Sequence, residues 1–190
     1  MTDPVNAPVT EVARQVLAAP PRLGTVRLVV VDGPAGSGKT TYAAALAGAL
    51  GDAPVVHMDD LYEGWSGGLV ADVWRRLEDQ VLAPLRDGHA ARYQVYDWVA
   101  GAFGEWVDVP RHGALVLEGV GSGARPVDPW AVLRIWVEVA TELRLARGFS
   151  RDGEAMRDEW LRWADREHAH FTCDGTRDRA DVCVDGTAPY

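Results

Sequence analysis

The sequence predicts an α/β protein built on a doubly wound, mainly parallel sheet with helices on both faces. Three observations lead there. Short runs that are apolar throughout recur along the chain, as expected of strands buried on both faces. Stretches of helical character separate most of these runs. The strongest run, residues 25–32 (TVRLVVVD), leads directly into a glycine-rich turn and then an alanine-rich helix.

The elements follow in order. Residues 10–19 read as a short helix stopped by Pro20 and Pro21. Residues 25–32 form the first strand, 33–38 the glycine-rich turn, and 39–50 a helix ending near Gly51. A short apolar strand is expected at 54–58, and a helix at 70–86 in which Pro84 predicts a kink. Residues 92–98 and 105–109 read as short strands around a loop. Residues 114–117 form a further buried strand closed by Glu118 and Gly119, and 132–139 another, followed by a helix from Thr141. A long helix at 154–171 puts Trp160 and Trp163 on one face, and 180–184 is the last strand. No repeat, low-complexity tract or long linker divides the chain, so one domain over 1–190 is expected.

Composition limits the partners. Apolar residues make up 47% and charged residues 25%, a globular balance, and a net charge of −9 repels nucleic acid and anionic membrane as a whole. An anionic ligand must then be captured by a local positive site. Cys173 and Cys183 read as ordinary thiols. The first eight residues lack the pattern of a signal peptide, and the richest apolar run, 26–31, is strand-sized, so a cytoplasmic protein is expected.

Residues 33–40 (GPAGSGKT) fit the G-x-x-x-x-G-K-[ST] pattern in full, after a buried strand and opening a helix. The glycines let the backbone wrap around a phosphate with its N–H groups inward, and the helix start aims its positive dipole at the same place. Gly33, Ala35, Gly36, Ser37, Gly38, Lys39, Thr40 and Thr41 are the expected nucleotide-binding positions. Lys39 adds a full charge beside the β- and γ-phosphates, and Thr40 offers its hydroxyl to the accompanying magnesium ion. ATP and Mg2+ are therefore the expected cofactors, in a P-loop NTPase fold.

No N-K-x-D segment that would read guanine is present, and by elimination a small kinase is favoured over a GTPase or a motor. Asp59, just past the second strand, lies where open α/β sheets bind ligands, and a carboxylate there can accept the proton of an attacking hydroxyl. Asp60 is the alternative base or a helper in the magnesium shell.

Four segments carry a resemblance to the uridine kinase family, a branch that includes phosphoribulokinase-like and pantothenate kinase-like enzymes. They are GPAGSGKTT at 33–41, Asp59-Asp60-Leu61-Tyr62 (similar to D-x-F-Y), Val95-Tyr96-Asp97-Trp98 (similar to P-x-Y-D-F) and Val116-Leu117-Glu118-Gly119-Val120 (similar to E-G-I). The resemblance implies that Asp59 is the base, that Tyr62 lines the acceptor site, and that Glu118 helps Thr40 hold the metal. Residues 144–152 (RLARGFSRD) resemble the family's R-L-x-R-R-x-x-R-D segment, which implies a short lid at about 144–155; Gly148 replaces one arginine. Arg147 and Arg151 fall four apart on one helical face and can neutralise charge on a transferred phosphoryl group, with Arg144 the weaker choice.

The expected reaction is transfer of the γ-phosphoryl group from ATP to a hydroxyl of a small, nucleoside-like metabolite, with Lys39, Asp59, Arg147 and Arg151 catalytic. Val99-Ala100-Gly101-Ala102 stands where the family has a histidine and an arginine that read a pyrimidine. A vitamin precursor, a sugar acid or an antibiotic is the alternative acceptor, and a non-enzymatic ATP-binding regulator the alternative class. Candidate acceptor contacts are Asp59, Tyr62, Arg92, Tyr96 and Trp98, with Trp65 and Tyr93 beside them. Arg177 and Arg179 precede the last strand, where similar kinases place a loop against adenine. Glu167, His168, His170 and Cys173 match no standard zinc spacing and read as a surface helix end. Self-association into a homo-oligomer is left open.

Overall fold

The computed structural model describes residues 8–65, 67, 69 and 71–188. In chain order it contains α1 (Val9–Ala18), β1 (Arg27–Asp32), α2 (Lys39–Ala49), β2 (Val55–His57), α3 (Ala71–Leu77), α4 (Ala83–Arg86), β3 (Ala91–Asp97) and β4 (Ala102–Val109). Then come β5 (Ala114–Glu118), β6 (Ala131–Glu138), α5 (Thr141–Asp152), α6 (Arg157–Asp174) and β7 (Val182–Asp185). The expected elements are present, with ends shifted by up to a few residues. Val70, the expected first residue of the third helix, lies outside the described residues.

The main sheet has five strands in the order β2-β5-β1-β6-β7, every neighbouring pair parallel. Its doubly wound character is written into β1. Successive side chains of a strand point to opposite faces. Leu28 and Val30 accordingly join Leu115, Leu117 and Val56 in one core, closed by Trp74 and Leu77 of α3. Val29 and Val31 join Val116 and Val137 in the other, against Val12 and Val16 of α1 and Tyr42 and Leu46 of α2. Burying each such Val or Leu contributes roughly 1.5–3 kcal/mol, so an uninterrupted apolar run fits only this central position.

Pro84 acts differently from a simple kink. A proline ring crowds the carbonyl four residues back and supplies no N–H. The chain meets this by widening into a π-helical turn over Glu78–Leu82, in which Ala83 N–H reaches back to the Glu78 carbonyl. Within that turn, the Gln80 side chain accepts a 2.8 Å hydrogen bond from Gln94 N–H and so ties β3 to the helix.

β3 and β4 form a separate antiparallel ribbon beside the main sheet. Its turn is built by Asp97, whose Oδ1 accepts hydrogen bonds from Val99 and Ala100 N–H at 2.8 and 2.9 Å. No helix among the described residues is long and apolar enough to cross a membrane.

Candidate nucleotide and acceptor site

The site stands at the carboxyl ends of β1, β5 and β2, where β1 is flanked by β5 on one side and β6 on the other. Sheet topology opens a crevice at such a place. The loop after β1 fits it only because its residues lack side chains at two close approaches. A Cβ on Gly33 would lie 2.1 Å from the Val137 carbonyl oxygen, and one on Gly36 2.4 Å from that of Arg144, and both residues have positive φ.

Three buried carboxylates organise the surroundings. Asp32, at the end of β1, accepts N–H bonds from Gly33 at 2.7 Å, Gly121 at 3.0 Å and Gly123 at 2.8 Å, joining the phosphate loop to the loop after β5. Burial nevertheless pushes its carboxyl up to about 7, against the pull of those N–H groups and of Lys39. Glu167 of α6 accepts from Ala35 N–H at 2.9 Å and from Arg144 Nη1 at 2.5 Å. Burial raises its carboxyl, and these same partners oppose the rise.

The third is Glu118, which closes β5. Thr40 Oγ1 donates to Glu118 Oε1 at 3.2 Å, and His57 Nδ1 lies 2.5 Å from that same oxygen. The hydrogen bond to Glu118 raises the pKa of His57, and partial burial opposes this. Glu118 approaches β2 closely because Gly119 packs on Met58, where an added Cβ would sit 2.7 Å from the Met58 Cβ. A hydroxyl and one carboxylate fit magnesium, which keeps water and phosphate oxygens for its remaining positions. Thr40 donates its hydroxyl proton to Glu118 and keeps its oxygen lone pairs for a cation.

Asp59 sits on the single turn after β2, Met58–Asp60. Its carboxylate is exposed to the cleft yet ringed by protein, and this desolvation raises its pKa, with Lys39 lowering it and Glu118 raising it further. Lys39 Nζ rests on the Pro34 carbonyl oxygen at 3.0 Å.

Two cavities meet at the loop. One, of about 440 Å³, is lined by Gly36, Gly38, Lys39, Thr40, Thr41, Arg147, Arg151 and the chain after β7 at Gly186, Thr187 and Ala188. The other, of about 460 Å³, runs past Ala35, Lys39, Thr40, Asp59, Tyr62 and Glu118 to Trp65, Trp98, Trp160 and Trp163. Gly36, Lys39, Thr40, Arg151 and Trp160 border both.

The tertiary structure thus brings together Lys39, Thr40, Asp59, Glu118, Arg147 and Arg151. Arg147 donates to the Gly36 and Gly186 carbonyl oxygens, each at 3.2 Å, clamping the loop from the side of the first cavity. Arg151 is held by both oxygens of Asp152 and lies 5.5 Å from the Trp160 ring centre. The missing lid arginine has a steric reason: an added Cβ at Gly148 would fall 2.7 Å from the Trp160 indole.

Several expected contacts are elsewhere. Arg92 is turned away to Asp108 at 3.8 Å and Trp106, and does not line the tryptophan-walled cavity. Tyr96 also lies behind that lining, packed edge-on against Trp98 and Phe103, so it supports Trp98 and does not face the cavity. Tyr93 donates to Asp60 at 3.0 Å. Tyr62 does line the cavity, but its hydroxyl is spent on the Val120 carbonyl. Gly33 and Ser37 line neither cavity, and Ser37 is fully buried. Arg144 is anchored on Glu167 and is not part of a free lid. Arg177 and Arg179 are taken up by Glu138 and by Asp128 and Asp174, away from both cavities.

Sequence reasoning missed Asp32 and His57, read Glu167 as part of a surface helix end although it is buried, and put Trp160 and Trp163 on one helical face without placing them at a cavity. His57 stands two residues before Asp59, so its nearness to that residue was legible in the chain. Glu167 carries no local signal, since its partners are remote in sequence. Among the described residues no cluster of His, Cys, Asp and Glu has the make-up of a metal site, so Glu167, His168, His170 and Cys173 form none.

Neither a family model nor a curated protein matches the sequence. Solved structures do match. A protein from Bacillus stearothermophilus, provisionally described as a uridine kinase, superposes with a TM-score of 0.66 at 20% identity, covering 93% of this chain and 97% of that one. One from Silicibacter sp. TM1040, provisionally described as a fructose transport system kinase, gives 0.60 at 20% identity over 95% and 98%. The fold is P-loop NTPase-like. At this identity the likeness carries the fold alone.

Proposed function

We propose that this protein is an ATP-dependent phosphotransferase that moves the γ-phosphoryl group to a hydroxyl of a small, nucleoside-like metabolite. One observation carries the reading: two cavities share Lys39, Thr40 and Arg151 as a common wall, and the carboxylate of Asp59 opens into the one that the tryptophans close. A nucleotide switch needs no base on the far side of its phosphates.

In this reading the acceptor oxygen bonds to the γ-phosphorus as the bond to the β–γ bridging oxygen breaks, leaving ADP. Asp59 takes the hydroxyl proton; no hydrogen-bond donor from the described residues competes for its carboxylate. Lys39 leaves the Pro34 carbonyl for the phosphates, and Arg147 and Arg151 meet the charge that develops on the transferred group. Thr40 and Glu118 would hold Mg2+, which supplies charge neutralisation between the phosphates when bound.

The test is MgATP turnover against a panel of hydroxyl-bearing metabolites. Acceptor-dependent ADP release should be lost in Asp59→Ala, with ATP affinity within about threefold of the parent, and Lys39→Ala should weaken both. Full activity in Asp59→Ala would remove it as the base.

A further inference from the structure

We propose that the β3–β4 ribbon sets the position of Asp59, with Trp98 and Tyr93 as positioning residues for the base; this rests on the phosphotransferase reading of the same site. Among the described residues no hydrogen-bond donor holds the Asp59 carboxylate, so its place is decided by the backbone that carries it. That backbone is the single turn Met58–Asp60. Three successive residues there are each gripped from outside the turn. Trp98 Nε1 donates to the Asp59 carbonyl oxygen at 3.2 Å, and the Tyr93 hydroxyl donates to the Asp60 carboxylate at 3.0 Å. Arg76 Nη1 donates to the Leu61 carbonyl oxygen at 2.6 Å, and its guanidinium lies 4.1 Å from the ring centre of Phe103 on β4. Two donors thus belong to the ribbon and its connecting turn, and the third rests on the ribbon.

The ribbon is itself fixed well enough to serve this purpose. Tyr93 is buried, and the next residue, Gln94, is tied to the π-helical turn through Gln80. The backbone on both sides of Trp98 is set by Asp97, which accepts from Val99 and Ala100 N–H through its side chain and from Gly101 N–H through its carbonyl at 2.8 Å. Tyr96 and Trp65 pack edge-on against the indole, with ring centres at 5.5 and 5.8 Å. On the other side of the turn, Met58 and Leu61 are fully buried in the core. The turn is thus held between a packed core and a braced ribbon. An indole does here what another aromatic ring cannot. A phenylalanine, which the motif resembled by residues 95–98 carries at this place, supplies a ring without an N–H. A base must lie within hydrogen-bond reach of the hydroxyl it serves, and a displacement of about 1 Å can cost on the order of a hundredfold in rate.

The test uses Trp98→Phe and Tyr93→Phe, each of which keeps a ring and removes one donor. In the first arm, NMR follows amide hydrogen exchange in the parent and in each variant. The Leu61 N–H closes the turn onto the Met58 carbonyl at 2.9 Å. Its exchange should quicken at least about threefold in each variant, while amides of β1 such as that of Val30 keep the parent's rate. An unchanged Leu61 rate in either variant, or an equal rise in β1, overturns the inference whatever turnover does. In the second arm, turnover is measured with an acceptor found in the metabolite panel. Trp98→Phe should lower kcat about three- to tenfold, the size of one hydrogen bond, with the acceptor KM within about twofold of the parent's. An unchanged kcat, or a loss that falls on the acceptor KM instead, overturns the inference, the latter by making Trp98 a contact of the acceptor. Absence of turnover with every acceptor in the parent counts against the phosphotransferase reading, and the exchange arm then decides whether the ribbon holds the turn.

Discussion

Glu167, on the helix α6, accepts a 2.9 Å hydrogen bond from the backbone N–H of Ala35 inside the phosphate loop, 132 residues away in sequence. Its second oxygen holds Arg144 of α5 at 2.5 Å. Loop, lid base and long helix are thereby joined through one carboxylate that is almost wholly buried.

Glu167→Ala should be costly for that reason. It leaves the buried Arg144 guanidinium without its counter-charge and Ala35 N–H without an acceptor, and breaking one partner of a buried pair costs about 3–5 kcal/mol. Urea denaturation should show the loss, together with weaker ATP binding. A midpoint like that of the parent would mean that water replaces Glu167 at no cost.

Gly186 makes the matching contact from the other side. A Cβ there would fall 1.9 Å from the Ser37 carbonyl oxygen, so Gly186→Ala must displace the phosphate loop or the end of β7. We expect ATP affinity to fall at least about tenfold, with stability changed by only about 1–3 kcal/mol, as for other overpacked positions. Gly113→Ala, at a glycine without positive φ where nothing lies within 4 Å of an added Cβ, is the control for the effect of position, and equal ATP affinity in the two variants would refute the contact.

In the proposed reaction the pH dependence of turnover follows from Asp59. Desolvation raises its carboxyl above the usual 3.8, with Lys39 pulling down and Glu118 pushing up. A base works only when deprotonated, so turnover should rise with pH through a pKa above the ordinary aspartate value. Asp59→Asn should remove both that limb and most of the activity. A limb that persists in Asp59→Asn would assign it to another group.

Asp32 gives a separate prediction for stability. Its folded carboxyl, pushed up to about 7 from 3.8, holds a proton that the unfolded chain has already released. Over that window the native state binds more protons, so this group's contribution to stability falls as pH rises from about 4 to about 7. Asp32→Asn lacks this dependence. Relative to Asp32→Asn, the parent should lose on the order of a few kcal/mol between the ends of that window, read from denaturation at each pH. A constant difference between the two proteins would mean that the three N–H donors hold Asp32 ionised throughout.

How much was legible depended on range. β1 was readable because Leu28, Val29, Val30 and Val31 are all apolar, a pattern that only a strand buried on two faces requires. The phosphate loop was readable because its glycines and Lys39 act through backbone geometry within a few residues. Arg92 and Tyr96 misled for the opposite reason. Both lie on the ribbon next to the site in sequence, but strand alternation and the register shift between Gln94 and Tyr96 decide which side chains face it. Gly148 stands in place of an arginine because Trp160 packs against it.

The sequence by itself determined the doubly wound sheet, the loop at 33–40 and the order in which Asp59, Glu118, Arg147 and Arg151 occur, because strand periodicity and glycine-rich turns are local properties of the chain. Only the tertiary structure decided that Thr40 and His57 share one oxygen of Glu118, that Glu167 holds the loop, and that four indoles enclose the space before Asp59. Those contacts join residues far apart in the chain. Their geometry is set by how helices and strands pack around two cores, which no local pattern encodes.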